Sequence, residues 1–382
     1  MTYVVGWKTE KHSFLCADMA ITQTGRNLSN EIREHTVFDE KIVSSNNKIV
    51  RDTLPKIVKI SDFIMLGFAG DVRIANAVIE DLIIRAEFTE INSNDDFENL
   101  LNLSVSNCLF GNTRRDIQLI TTAIINELPV IFAYNHDNKE KIQQINELVQ
   151  IGRLSQNALY SASSQFITSA LAQGTLPVQR MLPCVTAFIQ SYGVHDPLME
   201  YYGVGGAITG AYLSPTGITW QENTIYILYD NLSSDLSLIN IMNIDGTILT
   251  RNSNGDYHVF VNGKNPSEFS TFDKSTINKV KSILNEDVYK YVAFINKKHR
   301  KVVVLERAPL AKNSKYLELK ILNERDISIV IGPELSGTLM EDQNSEKDSI
   351  PFTFSFLYDK EKGTETKPYP SLKGKFEVVP NV

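Results

Sequence analysis

What most constrains this chain is the order in which two kinds of hydrophobic periodicity follow one another. Tyr3-Val4-Val5-Gly6-Trp7 and Phe14-Leu15-Cys16-Ala17 are apolar and β-rich, and polar Thr9-Glu10-Lys11-His12 lies between them, which predicts a hairpin. Lys56–Ile60 and Phe63–Ala69 predict two more strands, the second ended by Gly70. From Asp71 to Ile91 the period changes. Val72, Ala75, Val78, Ile79, Leu82 and Ile83 fall at helical spacing, with Asp71 placed to cap the first turn. A second helix is predicted over Asp95–Leu109. Strands return over Ile117–Asn126, Pro129–Tyr134 and Ile142–Ile151, and helices over Ser155–Ala172 and Pro177–Ser191. A last strand pair, Ala207–Leu213 and Ile218–Gln221, turns at Ser214-Pro215-Thr216-Gly217. Helices arriving in pairs between sets of strands predict an α+β fold over residues 1–221. Its two sheets face one another and carry helices on both outer faces, a four-layer αββα sandwich.

The polar stretch Thr22–Asp52 reads as a long loop. After about Glu222 short strands dominate, with turn signals at Asn254-Gly255 and Asn262-Gly263 and one amphipathic helical segment at Thr276–Val288. Residues 222–382 are therefore expected to form a separate, mostly-β C-terminal region, with a polar tail over Lys360–Lys375.

Composition narrows the function classes. Of 382 residues, 42% are hydrophobic and 22% charged, which excludes wholesale disorder. The net charge of −7 offers no basic excess for nucleic acid or an anionic membrane. Cys16, Cys108 and Cys184 are far apart, and the six histidines form no HExxH or His/Cys cluster, so chemistry without metal or cofactor is expected. No apolar run reaches the ~18 residues of a membrane helix, and Lys8, Glu10, Lys11 and His12 interrupt the N-terminus, so the expected location is cytoplasmic.

Thr2 is the most informative position. Removal of Met1 would leave threonine with a free α-amine, whose pKa of about 7.7–8.0 suits a general base near neutrality. One residue would then supply both nucleophile and base.

Around Thr2 the residues form a recognisable series. Thr2-Tyr3-Val4-Val5-Gly6-Trp7-Lys8 is followed by Phe14-Leu15-Cys16-Ala17-Asp18-Met19-Ala20-Ile21-Thr22, with Asp18 sixteen positions after Thr2. Lys56-Ile57-Val58-Lys59-Ile60 is followed by Phe68-Ala69-Gly70, with Gly70 fourteen positions after Lys56. In these residues, spacings and element order, the stretch Thr2–Gln221 resembles the proteasome β-subunit family of N-terminal nucleophile hydrolases and its bacterial relatives.

The resemblance implies roles. Thr2 would be the nucleophile. Lys56 would lower the pKa of the Thr2 hydroxyl and keep the amine unprotonated, and Asp18 would hold Lys56 ionised. The Gly70 N–H would stabilise an oxyanion, helped by the dipole of the following helix. Thr22 would pair its backbone with an extended peptide substrate. The implied partners are a peptide or protein substrate, further copies of the chain in a ring-like homo-oligomer, and a separate ATPase. Taken singly, Asp18, Lys56 and Gly70 also read as a turn residue, a solvated strand start and a helix-entry glycine, while Cys16 reads as core.

The chain also departs from the family. Ala20 stands where an Arg is usual, and Thr22–Lys56 is longer than typical. The Gly-Ser-Gly segment is represented by Ile151-Gly152-Arg153-Leu154-Ser155, with Arg153 in the serine's place and Ser155 as a possible helper. Tyr201 and Val204 replace the Asp and Ser that precede Gly205-Gly206. Three functions stay open: a threonine peptidase, a catalytically lapsed scaffold that binds partners through its C-terminal region, and an amidase of the same mechanism acting on a small molecule.

Overall fold

The structure is a computed structural model. It describes residues 2–24, 38, 48–52, 54–109, 116–135, 142–152, 158–174, 176–195, 204–232, 236–252, 257–260, 278, 289–307, 316–321, 327–340, 352–358 and 374–376. The fold is of the α+β kind.

The predicted hairpin forms from β1 (Tyr3–Lys8) and β2 (Ser13–Asp18), with Val4 opposite Ala17. The ends of the polar stretch read as a loop pair instead as β3 (Ala20–Thr24) and β4 (Lys48–Asp52). Strands β5 (Ile57–Ser61) and β6 (Ile64–Gly70) lead into α1 (Val72–Phe88), whose N-cap Asp71 accepts the Arg73 N–H at 2.9 Å. Helix α2 (Asn94–Leu109) starts on a reciprocal cap: Ser93 Oγ accepts the Asp96 N–H at 3.1 Å and donates to Asp96 Oδ2 at 2.8 Å. There follow β7 (Ile117–Ile125), β8 (Leu128–Asn135), β9 (Ile142–Ile145), β10 (Leu148–Gly152), α3 (Ala158–Gln173), α4 (Val178–His195), β11 (Ile208–Ser214) and β12 (Gly217–Trp220).

Apart from the β3–β4 pair, these strands make two five-stranded sheets, ordered β10-β1-β2-β11-β12 and β5-β6-β7-β8-β9. The stretch Ile142–Ile151, expected as one strand, is two strands in different sheets. The chain crosses between them at Asn146 and Glu147.

The period of two along each strand sorts side chains into separate cores. Val4, Leu15 and Ala17 cluster with Ile57, Met65, Ile120 and Ile131 of the other sheet. Their neighbours Tyr3, Val5, Trp7 and Phe14 cluster with Phe166, Leu182 and Phe188 from α3 and α4. On the second sheet Leu66, Phe68, Leu119 and Phe132 cluster with Val78, Leu82, Phe97 and Leu101 from α1 and α2.

The C-terminal region contributes β13 (Thr224–Tyr229), β14 (Ser237–Ile244), β15 (Thr247–Asn252), β16 (Tyr257–Phe260), β17 (Tyr291–Asn296), β18 (Lys301–Glu306), β19 (Leu317–Ile321), β20 (Ile327–Ile331), α5 (Pro333–Met340), β21 (Phe352–Tyr358) and β22 (Gly374–Phe376). Eight of these strands form one sheet, ordered β16-β15-β14-β13-β17-β18-β21-β22. One of its faces packs Tyr226, Ile239, Ala293, Val304 and Phe354 into the cluster of α3 and α4. The other packs Ile225, Ile227, Phe294 and Val303 against Leu319, Leu335 and Leu339. Helix α4 thus lies between two sheets, and every residue from Arg180 to Tyr192 is buried. The Arg180–Glu306 ion pair joins the helix to β18, and the Arg180 guanidinium sits 5.5 Å from the Phe356 ring centre. The turn signals at Asn254-Gly255 and Asn262-Gly263 lie outside the described residues, as does the 276–288 segment apart from Asn278. Among the described residues no helix is long and apolar enough to cross a membrane.

Candidate active site

Thr2 immediately precedes β1 and is buried. The register that sets Val4 against Ala17 sets the next pair, Tyr3 and Asp18, against each other, so the sixteen-residue interval is the length of one hairpin. The Tyr3 N–H donates to Asp18 Oδ1 at 2.8 Å. The same oxygen lies 2.8 Å from Lys56 Nζ, which also donates to the Ala20 carbonyl. Asp18 Oδ2 accepts the Gly205 N–H at 3.4 Å, and the Ala20 N–H donates to the Gly205 carbonyl at 3.2 Å. Lys56 and Asp18 are 1% and 0% exposed. Two charges so far from water persist only when paired and hydrogen-bonded, and here both carboxylate oxygens have donors. Burial pushes the Asp18 carboxyl above the ordinary carboxylate range; the Lys56 charge, its hydrogen bond and the Tyr3 N–H pull the other way.

Lys56 reaches this point because it stands at the entrance of β5, where its carbonyl accepts the Phe68 N–H at 3.1 Å. Gly70, two residues beyond Phe68, ends β6 at φ +104°, and a Cβ there would lie 2.0 Å from the Asp116 carbonyl oxygen. Only glycine fits this junction of strand and helix. Thr22 lies on β3 opposite Val50. Ser155, Arg153 and Tyr201 lie outside the described residues. Thr2, Asp18 and Lys56 are thus gathered around one carboxylate, and Gly70 sits on the strand beside Lys56.

Several residues of the site have no counterpart in the sequence reading. Gln190 on α4 accepts the Ile208 N–H at 2.8 Å and donates to the Gly206 carbonyl at 3.0 Å, fixing the Gly205-Gly206 turn that reaches Asp18. The visible signal is a buried-looking amide, Gln190, in the apolar middle of the helix. A second group lies behind Tyr3, whose hydroxyl bonds Ser163 Oγ at 2.7 Å and Gln150 Oε1 at 2.9 Å. Cys16 is fully buried and its thiol is pushed well above the ordinary range by burial, so it is core. Among the described residues no group of three or more His, Cys, Asp or Glu side chains could hold a metal ion.

No protein-family model matches the chain, and no curated protein matches it.

Proposed function

We propose that the chain is a proteasome-like threonine hydrolase that cleaves peptide amide bonds, folded over residues 1–221 as a four-layer αββα sandwich. The observation that carries the reading is the buried Asp18 carboxylate, which binds both Lys56 and the peptide N–H next to Thr2. With Met1 removed, the Thr2 amine takes the hydroxyl proton as the oxygen attacks the substrate carbonyl. The ammonium of Lys56 favours the deprotonated forms of both groups. The Gly70 N–H receives the developing oxyanion, with the N-terminus of α1 behind it. Thr22 offers its backbone to an extended peptide, and Ser155 is the helper candidate. The reading needs no cofactor or metal. It includes a ring-like homo-oligomer, a separate ATPase and a cytoplasmic location, with no nucleic-acid or membrane partner. The layered arrangement is supported by three clusters: one between the sheets and one under each helix pair.

Intact mass and one substitution test the mechanism. The expected protein lacks Met1, and Thr2→Ala lowers peptide hydrolysis by at least about 1,000-fold. Retained Met1, or unchanged hydrolysis in Thr2→Ala, sinks the mechanism.

A second reading is a lapsed scaffold. It is supported by Val204, a buried apolar side chain where the family has a hydrogen-bonding serine. It expects Thr2→Ala to leave cellular function intact and truncation after Glu222 to abolish it.

A further inference from the structure

Gly152, the last residue of β10, is the neighbour of Thr2 across the sheet. It pairs with Tyr3, and at its φ of +116° a Cβ would lie 1.8 Å from the Thr2 carbonyl oxygen. Side chains from two other elements reach this strand end. The Gly152 N–H donates to Gln118 Oε1 at 2.6 Å, a bond from β10 to β7 in the other sheet. The amide of Gln118 is oriented by its own Nε2, which donates to Asn135 Oδ1 at 3.2 Å. The Gly152 carbonyl accepts the Tyr160 hydroxyl from α3 at 3.2 Å. The Tyr160 ring stands edge-on to Tyr3, with centres 5.6 Å apart, and the Tyr160 backbone carbonyl accepts Gln150 Nε2 at 3.0 Å.

We infer that Gln118 and Tyr160 are positioning residues for Thr2. They bind Gly152 on both sides, Gln118 at its N–H and Tyr160 at its carbonyl, so that the Thr2 backbone packed against it is fixed relative to Lys56 and Asp18. Neither touches the reacting atoms. Their effect is on the fraction of time the nucleophile is aligned, and small misplacements at that point are costly in rate. The inference rests on the threonine-hydrolase reading. It adds to it a clamp built from one side chain of the second sheet and one of the α3 layer.

The test uses the full chain and three readouts: the rate at which a β-lactone labels Thr2, followed by intact mass; kcat and KM on a fluorogenic peptide; and hydrogen exchange at the Gly152 amide. Tyr160→Phe keeps the ring and loses only the hydroxyl. It is expected to lower labelling and kcat about 10-fold with KM unchanged. Gln118→Leu removes the acceptor and is expected to do the same while speeding exchange at Gly152. Gln118→Glu still accepts that N–H and is expected to recover labelling to within about 3-fold of the parent. Parent rates in both Tyr160→Phe and Gln118→Leu overturn the inference. So does failure of Gln118→Glu to rescue when its melting temperature equals the parent's. If the parent itself is neither labelled nor active, the threonine-hydrolase reading fails and takes the positioning role with it. Faster Gly152 exchange in Gln118→Leu would then identify the clamp as purely structural.

Discussion

At the scale of single residues, Asp18 bears on stability and, on the threonine-hydrolase reading, on chemistry as well. Its carboxylate neutralises a lysine that is almost wholly out of water. Asp18→Asn keeps the shape but strands the Lys56 charge, so it should cost about 3–5 kcal/mol in a urea unfolding series and, on the threonine-hydrolase reading, abolish peptide hydrolysis. A cost under about 1 kcal/mol would mean that Lys56 finds another route to solvent. His195, in the last turn of α4, sets a pH limit. Burial lowers its pKa to about 4, the Arg300 charge adding to the shift and a backbone hydrogen bond with Asn296 opposing it. The imidazole is therefore neutral in the fold and charges more readily once unfolded. Between pH about 6.5 and about 4 the unfolded chain binds the extra proton, so stability falls as pH falls through that window, by up to about 3 kcal/mol. Unfolding midpoints at pH 7 and pH 5 should separate in the parent and draw together in His195→Gln. Equal separation in both proteins would count against this assignment.

At the scale of elements, packing against α4 carries the most weight. Phe188 stacks on Phe166 at 4.4 Å, and Phe166 meets Phe354 edge-on at 4.9 Å. Phe188→Ala should lose about 3–5 kcal/mol by chemical denaturation, because a helix held on two faces cannot collapse into the gap. The elements over residues 1–221 were largely legible because their periods are clean. The run from Val72 to Leu82 has the spacing of a helix with one apolar face, and the apolar run Tyr3–Trp7 is a strand whose successive side chains enter different cores. Where the sequence misled, long-range pairing had decided. Ile142–Ile151 is continuous in composition, yet Ile142 pairs with Tyr134 and Gly152 with Tyr3 in separate sheets. Ala20–Thr24 and Lys48–Asp52 are too polar to announce strands, and they pair because each supplies the other's backbone partners. At the site, Asp18 and Lys56 were visible as types at set spacings. Gln118, Tyr160 and Gln190 were not, because a polar side chain within an element shows no target until the fold supplies one.

At the scale of the whole molecule, the C-terminal sheet covers a face that residues 1–221 alone would leave bare. Tyr226, Ile239, Ala293, Val304 and Phe354 fill the outer side of α3 and α4. A chain ending at Gln221 should bind a hydrophobic dye strongly and aggregate, whereas the full chain should bind little dye. A monomeric, dye-silent 1–221 fragment would show that the helix pair tolerates water. Removing one end of the buried Arg180–Glu306 pair should weaken the same union, since Glu306→Ala leaves a guanidinium enclosed without its counter-charge. The closure of α4 also bears on how the protein is made. Phe188 stacks on Phe166, and the ring that meets Phe166 edge-on is Phe354, which follows far later in the sequence. Contacts so distant in sequence form late and slow a fold's completion. The apolar face of the helix pair behind Thr2 is therefore only partly covered during synthesis until β21 has emerged.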